Sequence, residues 1–135
     1  MDGGTAGSAS APAAYPHRMP QLIEGPTRIP VPGGKVIDEY VGRATLGTDA
    51  VSVAHMRAPA GWDEPAQTPE FDEVTLVLHG LVIVEHDGGT TEVRAGQAVV
   101  TRAGERVRYS VGDEGAEYVA VCLPAFAPEL ARRKG

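Results

Sequence analysis

The sequence predicts an all-β domain built as a sandwich or barrel of antiparallel strands. Runs rich in β-branched and aromatic residues recur at roughly the eight-to-twelve-residue spacing that is typical of such folds. Glycine (17 residues) and proline (11 residues) are spread between these runs as turn residues rather than concentrated in repeats. The chain has 135 residues, of which 42% are hydrophobic, and this is enough for one packed core.

The first strand of this core is expected over residues 35–42, directly after the turn at Gly33 and Gly34. Alternating apolar runs predict further strands over residues 51–57, 71–78, 81–85, 91–94, 97–101, 107–111 and 117–123. Gly80 and residues 113–115 are expected to separate strands, and residues 86–90 are typical of a hairpin turn.

The two ends of the chain differ in composition from the strand region. Residues 1–18 are rich in small residues and are predicted to be a disordered tail. Residues 19–34 contain several prolines and predict an extended arm that follows the domain surface or crosses to a partner. The barrel is assigned to residues 35–127. Residues 128–135 form a C-terminal tail with a short helical turn, and its basic cluster is interpreted as solvated: Arg132, Arg133 and Lys134.

Charge and cysteine content limit the possible partners and location. The formal net charge is −6 without a basic patch, so neither nucleic acid nor an anionic membrane is an expected partner. No apolar stretch is long enough for a transmembrane helix, and the N-terminus lacks the pattern of a secretory signal. The one cysteine, Cys122, excludes an internal disulfide and fits a cytoplasmic protein. Its apolar neighbours predict a buried, unreactive thiol.

Residues 61–80 and 96–110 resemble the two signature motifs of the cupin superfamily. Glu73 and Gly80 stand at the positions of the metal-binding glutamate and the closing glycine, and Gly104 keeps the glycine of the second motif. The resemblance covers residues 35–126 and implies a single jelly-roll β-barrel. Cupins normally bind a divalent metal through three histidines and one glutamate. Here the histidine positions hold other residues: Gln67, Pro69 and Val107.

Residues 106–109 and 117–126 are similar to a subgroup of small single-domain cupins. This subgroup includes the metal-free nucleoside dehydratase of pacidamycin assembly and proteins described as ethanolamine-utilisation-like. The resemblance implies functional roles for Lys35 and Tyr109, which match a lysine and a tyrosine of that dehydratase. Trp62 stands where the dehydratase has a histidine, and Glu129 is close to its glutamate but out of register.

Three residues are the catalytic candidates. Glu73 lies in an apolar strand whose alternation places it on one face with Thr75. Inside a barrel its carboxylate would be desolvated and suited to acid–base chemistry, although a structural carboxylate paired with an arginine is an alternative. Tyr109 is either a donor to a substrate oxygen or a core tyrosine. Lys35 is either a cationic clamp for an oxyanion or a solvated lysine beside a turn.

Five further residues are candidates for substrate binding. Gln67 is a poor ligand for transition metals but suits a polar substrate, unless it only shapes its loop. Trp62 caps a ring substrate or packs at the barrel rim. Thr75 shares the face of Glu73. His55 and Arg57 lie on one face of their strand; they contribute to the site if that face is internal and are surface residues if it is external.

These residues support three hypotheses. The preferred one is a lyase, such as a dehydratase, or an isomerase that needs no metal or cofactor and acts on a small polar carbonyl-bearing metabolite. The second is a metal-dependent cupin with atypical ligands: Glu73, Gln67 and His55. The third is a non-catalytic module for small-molecule binding or dimer assembly. In each case a homodimer is expected, since the arm could cover a strand edge of a second subunit.

Overall fold

The computed structural model describes residues 20–133, which form seven β-strands and one short helix. All strand pairs are antiparallel, so the predicted all-β class is confirmed. The predicted C-terminal helical turn is also present. The elements are β1 (Thr27–Ile29), β2 (Val36–Val41), β3 (Ser52–Ala58), β4 (Asp72–His86), β5 (Gly89–Arg94), β6 (Ala98–Thr101), β7 (Val107–Leu123) and α1 (Pro128–Ala131).

The strands are ordered β1-β2-β3-β7-β4-β5, and β6 pairs with β4. The two long strands, β4 and β7, each serve both sheets of the barrel. Residues 72–80 of β4 pair with residues 116–123 of β7, whereas residues 82–86 pair with residues 107–111. The strand ends predicted at Gly80 and at residues 113–115 were therefore wrong. Both strands continue through these segments and bend there, which lets each strand enter both sheets of the jelly-roll barrel.

Two glycines allow this bend because each lies too close to a neighbouring backbone segment for a side chain. A Cβ atom at Gly80 would lie 2.1 Å from the carbonyl oxygen of Gly115, and one at Gly115 would lie 2.5 Å from the carbonyl oxygen of Ala58. Both glycines also have positive φ, +81° and +74°. Bulges between Val77 and Val82 shift the register of β4 at the same point. Gly80 and Gly115 thus form the corner of the barrel.

The bulges change which side chains face the barrel interior. In β4 the inward positions carry odd numbers before the corner, as at Thr75, and even numbers after it, as at Val82. In β7 the order is the same, with Tyr109 inward before the corner and Tyr118 inward after it. One end of the barrel is filled by a valine-rich core: Val77, Val82, Val84, Val93, Val107 and Val111. The other end is left open for a cavity.

The described part of the predicted arm folds onto its own chain. Thr27 pairs with Glu39 in the β1–β2 register, so β1 is the edge strand of this subunit. The Glu39 carboxylate accepts hydrogen bonds from the backbone N–H groups of Ala44 and Thr45, which fixes the loop beside this edge. The predicted tail at residues 1–18 lies outside the described residues. Within residues 20–133 there is no helix of the length and hydropathy needed to cross a membrane.

The corner predicts a large difference between two otherwise similar glycine substitutions. Gly80→Ala should lower the free energy of unfolding by about 3 kcal/mol or more, because positive φ and backbone overlap both oppose the methyl group. Gly96→Ala is the matched control, since Gly96 has φ +85° but nothing within 4 Å of an added Cβ. It should cost only about 1–2 kcal/mol. Urea unfolding of both variants measures the difference, and equal losses would contradict the proposed role of the corner.

Candidate active site

A cavity of about 640 Å³ opens at the end of the barrel opposite the valine core. Its walls are largely aromatic and aliphatic, and its mouth is lined by the segment that follows β1. It brings together five of the predicted site residues: Lys35, Trp62, Gln67, Glu73 and Tyr109. Other residues that line it and were not predicted include Met56, Glu64, Phe71, Tyr118, Phe126 and Arg133. A cavity of this volume is in the range that encloses a metabolite with a ring.

Glu73 is the carboxyl group held within this cavity. It lies on β4 opposite Cys122 of β7 and Thr101 of β6, so three strands fix its position. Burial raises its pKa from the ordinary 4.5 to about 7, and the nearby charge of Glu64 acts in the same direction. Lys35 and Arg133 oppose this rise without cancelling it. Near neutral pH the carboxyl therefore exists in both protonation states, as acid–base catalysis requires.

Tyr109 presents its phenol to the same space from the other sheet. Its hydroxyl is 3.0 Å from the hydroxyl of Thr101, and both side chains are buried. Burial, followed by the charge of Glu73, raises the pKa of Tyr109 well above its ordinary value. The phenol therefore keeps its proton throughout the physiological range and acts as a hydrogen-bond donor rather than as a base.

Lys35 precedes β2 and extends its amine between two aromatic rings. Nζ lies 4.0 Å from the centroid of the Trp62 ring and 5.5 Å from that of Tyr118. No residue in the described range forms an ion pair or hydrogen bond with this amine. Burial lowers its pKa, although Glu64 and Glu73 act against that change. Cation–π contacts supply about 1–2 kcal/mol, less than the several kcal/mol that it costs to desolvate an ion.

The C-terminal segment closes one side of the cavity with a charged cluster. The backbone N–H of Thr68 donates to the carbonyl of Arg132, which holds this segment against the loop before β4. Arg133 donates from Nε to Gln67 Oε1 at 3.1 Å and from a terminal nitrogen to Glu64 Oε1 at 3.2 Å. The Arg133 side chain is 40% exposed, so it stays in contact with solvent, as expected for the basic cluster, while it is bonded to both residues. Gln67 shapes its loop, because it also exchanges backbone hydrogen bonds with Val107, and it lines the cavity.

His55 and Arg57 lie outside the cavity, which corrects their assignment to substrate binding. On β3 the side chains of Ser52, Ala54 and Met56 face inward, so His55 and Arg57 face the opposite side. His55 Nε2 is 2.6 Å from Glu117 Oε2. This histidine therefore belongs to an ion-pair network on the outer face of the sheet: Arg28, Asp38, His55, Arg57, His79 and Glu117.

Thr75 lies beneath the cavity rather than on its surface. Its side chain is fully buried and does not line the cavity, so it is not placed to contact a substrate. It is close enough to Glu73 to oppose the rise in that pKa, yet its Oγ1 is outside hydrogen-bonding geometry of every described group.

The residues present do not fit the metal site that the cupin motifs imply. In residues 20–133 no three His, Cys, Asp or Glu side chains converge in an arrangement that could hold a metal ion. Gln67 is bonded to Arg133, Val107 is a core residue, and His55 faces outward. The alternative metal site of Glu73, Gln67 and His55 therefore does not form.

Among the cavity residues that were not predicted, Tyr118, Glu64 and Arg133 differ in how much signal the sequence contains for them. Tyr118 lies on the same face of β7 as Cys122, so the expected burial of Cys122 could have predicted that Tyr118 also faces inward. Glu64 is two residues after Trp62 on one extended segment, which was a weaker signal. Arg133 reaches the cavity through a pairing of Gln67 with Arg133, and no local pattern predicts a contact over that separation.

A protein of Myxococcus xanthus (strain DK1622) named endoribonuclease YbeY is 50% identical to this chain over 104 residues. The match covers 76% of this chain and 35% of that protein, so the chain spans about a third of the length of this curated relative. No family model matches the chain.

Solved structures give a clear result for the fold. Streptomyces PAC13, in a tyrosine-to-phenylalanine variant solved with uridine, matches with a TM-score of 0.66 at 14% identity, over 87% of this chain and 91% of that chain. The fold is cupin-like. A putative ethanolamine utilization protein, EutQ of Salmonella typhimurium LT2, matches with a TM-score of 0.55 at 22% identity, over 68% of this chain and 71% of its own. The resemblance to cupins is thus confirmed for the fold, whereas the Myxococcus protein has the name of a different class.

Because the pKa of Glu73 is raised, replacing this residue should stabilise the protein, and the gain should be larger at higher pH. The unfolded carboxyl titrates near 4.5 and the folded one near 7, so ionisation destabilises the fold as pH rises between these values. Glu73→Gln should therefore stabilise the protein at pH 8 by up to about 3 kcal/mol more than at pH 4.5. Glu114→Gln, at an exposed position on β7, is the matched control. Urea unfolding at both pH values measures this, and a pH-independent effect of Glu73→Gln would refute the buried carboxyl.

Proposed function

We propose that this cupin-like protein is a lyase, such as a dehydratase, or an isomerase that acts on a carbonyl-bearing metabolite without a metal. The observation that carries the proposal is the Glu73 carboxyl, whose pKa is about 7 in a cavity that also holds the Lys35 amine. A base in equilibrium with its acid at neutral pH is suited to removing a proton beside a carbonyl group.

The residues suggest one order of events. The substrate carbonyl oxygen accepts hydrogen bonds from Lys35 and Tyr109, and Glu73 takes a proton from the adjacent carbon. The electron pair of the broken C–H bond moves toward the carbonyl oxygen, where the two donors stabilise the negative charge. Protonated Glu73 then returns its proton to a hydroxyl group on the next carbon, which leaves as water, or to another carbon. The first outcome is a dehydration and the second is an isomerisation.

The walls of the cavity support a substrate with a ring or another apolar body. Trp62 and Tyr118 flank the amine, and Met56 and Phe126 extend the apolar surface. The polar groups instead gather around Glu73. The sequence predicts a small polar metabolite as substrate. We propose, more specifically, a substrate whose reacting carbonyl lies at the end of an apolar or cyclic group.

The name of the Myxococcus relative does not lead us to propose ribonuclease activity. That protein has about two thirds of its length outside the match, and we propose that its nuclease function resides there. The cavity of this chain contains Glu64 and Glu73, and the formal net charge of the chain is −6. Both features oppose the binding of a phosphate backbone.

Exchange of substrate hydrogen with solvent deuterium tests the reaction. Carbonyl-bearing sugars, nucleosides and polyketides are incubated with protein in D2O, and loss of the α-proton signal is followed by NMR. Glu73→Gln should slow the exchange by about 100-fold or more, and Tyr109→Phe by about 100-fold. The wild-type rate should rise with pH through about 7, because Glu73 must be ionised to accept the proton.

Two substitutions at exposed positions outside the cavity serve as matched controls, Glu114→Gln and Tyr40→Phe. Both should keep the wild-type rate. Full activity of Glu73→Gln would rule out the proposed chemistry. If tryptophan fluorescence detects ligand binding but neither the wild-type protein nor any variant catalyses deuterium exchange, the non-catalytic binding module would be supported instead.

We also propose a cytoplasmic homodimer in which the outer faces of two sheets pack together. The outward side chains of Val53, Val121, Val74 and Val100 are aligned in one row across four strands. Val100 is 48% exposed and the neighbouring Leu76 is 42% exposed. A two-fold axis would place such a row against its own copy and remove it from water. The buried free thiol of Cys122 is compatible with a reducing compartment.

A charge placed in this valine row should dissociate the dimer. Val100→Lys is expected to give a monomer, since a lysine cannot be desolvated there without a partner. Thr91→Lys, at an exposed position on β5, should leave the dimer intact. Sedimentation equilibrium at several concentrations gives the masses. A wild-type protein that stays monomeric at 100 times the assay concentration, or an unchanged Val100→Lys dimer, would exclude this interface.

A further inference from the structure

We propose that the Lys35 amine forms an imine with the carbonyl group of an aldehyde or ketone substrate. This inference rests on the proposed function for the carbonyl-bearing substrate, but it assigns Lys35 a covalent role rather than a purely electrostatic one. The imine would make the enzyme a lysine-dependent lyase or isomerase.

The position of the amine is the first observation behind this assignment. Nζ lies in the cavity, 4.0 Å from the Trp62 ring centroid and 5.5 Å from that of Tyr118. Within residues 20–133 it has neither an ion pair nor a hydrogen bond, so no carboxylate of this range holds it in a salt bridge. The two rings leave the nitrogen accessible from the cavity and present flat surfaces to a planar imine.

The choice of lysine at this position is the second observation. The sequence contains ten arginines but only two lysines, Lys35 and Lys134. An arginine is always charged and would serve better as a permanent clamp for an oxyanion, whereas a lysine can lose its proton and become a nucleophile. Burial lowers the pKa of Lys35, which increases the neutral fraction of the amine.

The position of Glu73 supplies the third observation. Its carboxyl lines the same cavity and is close enough for its charge to act on Lys35. Imine formation needs an acid that protonates the departing oxygen, and the following step needs a base. A carboxyl with a pKa of about 7 can serve as both in succession.

The covalent steps balance without any further reagent. The neutral amine attacks the carbonyl carbon, and one proton moves from the nitrogen to the former carbonyl oxygen. A second proton from the Glu73 carboxyl lets this oxygen leave as water, which gives the protonated imine and the Glu73 carboxylate. Glu73 removes the α-proton, and the electron pair moves toward the imine nitrogen to give an enamine. The enamine expels a β-hydroxyl group as water with the proton from Glu73, or it is protonated at carbon. Water then hydrolyses the imine and releases the product and the free amine.

Reductive trapping tests the assignment directly. The protein is incubated at pH 7 with sodium cyanoborohydride and either 4-hydroxybenzaldehyde or glyceraldehyde, and modified peptides are quantified by mass spectrometry. An ordinary lysine is neutral to only about 0.04% at this pH. Lys35 should therefore be alkylated at least tenfold faster than Lys134, the reference amine of the same chain. Modification of Lys134 at the same rate or faster overturns the proposal.

Two conservative variants separate the imine from the charge. Lys35→Arg keeps a cation but cannot form an imine, so it should lose the trapped adduct and at least 100-fold in deuterium exchange. Lys134→Arg is the matched control and should keep both. Thermal melting verifies that each variant is folded. If Lys35→Arg retains exchange within a few-fold of wild type, the imine is excluded although the chemistry of Glu73 stands. If Lys35 is trapped but Glu73→Gln exchanges normally, the imine stands and the role of Glu73 as base falls.

Discussion

The backbone contact between Gly80 and Gly115 is the constraint on which the rest of the structure depends. Because no side chain separates them, β4 and β7 bend together and each strand enters both sheets. The bend encloses a valine core on one side and leaves a cavity on the other. Glu73 and Tyr109 thereby come from opposite sheets, and their distance from each other is set by the strand ladders rather than by a loop.

The cavity combines an acid and an amine that are both shifted toward their neutral forms. Burial raises the pKa of Glu73 and lowers that of Lys35, so the two pKa values lie closer together than those of the free side chains. A proton can then move between such groups, or through a substrate, with a smaller change in free energy. In contrast, the Arg133 guanidinium is already bonded to Gln67 and Glu64.

The sequence was a good guide where local pattern and family spacing agreed. Alternation identified the strands, and the motif glycines located Glu73, Gln67 and Tyr109 within the barrel. It was a poor guide at His55, because its strand carries polar residues on one face and small residues such as Ala54 on the inner face. Hydrophobicity alone did not distinguish the two faces there. Arg133 depended on a long-range contact, for which the local sequence contains no signal.

The outer face shows why a polar row can exist beside an apolar one. Arg28, Asp38 and Glu117 lie in or beside the first three strands of the sheet, where ion pairs satisfy them, whereas the valine row crosses the strands further along. Charged side chains protect an exposed sheet from indiscriminate pairing. The ion pairs therefore leave the valine row as the apolar part of this face, which is the surface of the proposed dimer.

At the corner, the inward-facing positions change from odd to even residue numbers, and this change has an evolutionary consequence. In the half of β4 that carries Glu73 the inward residues have odd numbers, and in the half that carries Val82 they have even numbers. The bulges between the two halves cause this change. A substitution in one half does not alter the inward pattern of the other. Substitutions around Glu73 can therefore accumulate without changing which residues of the other half face inward.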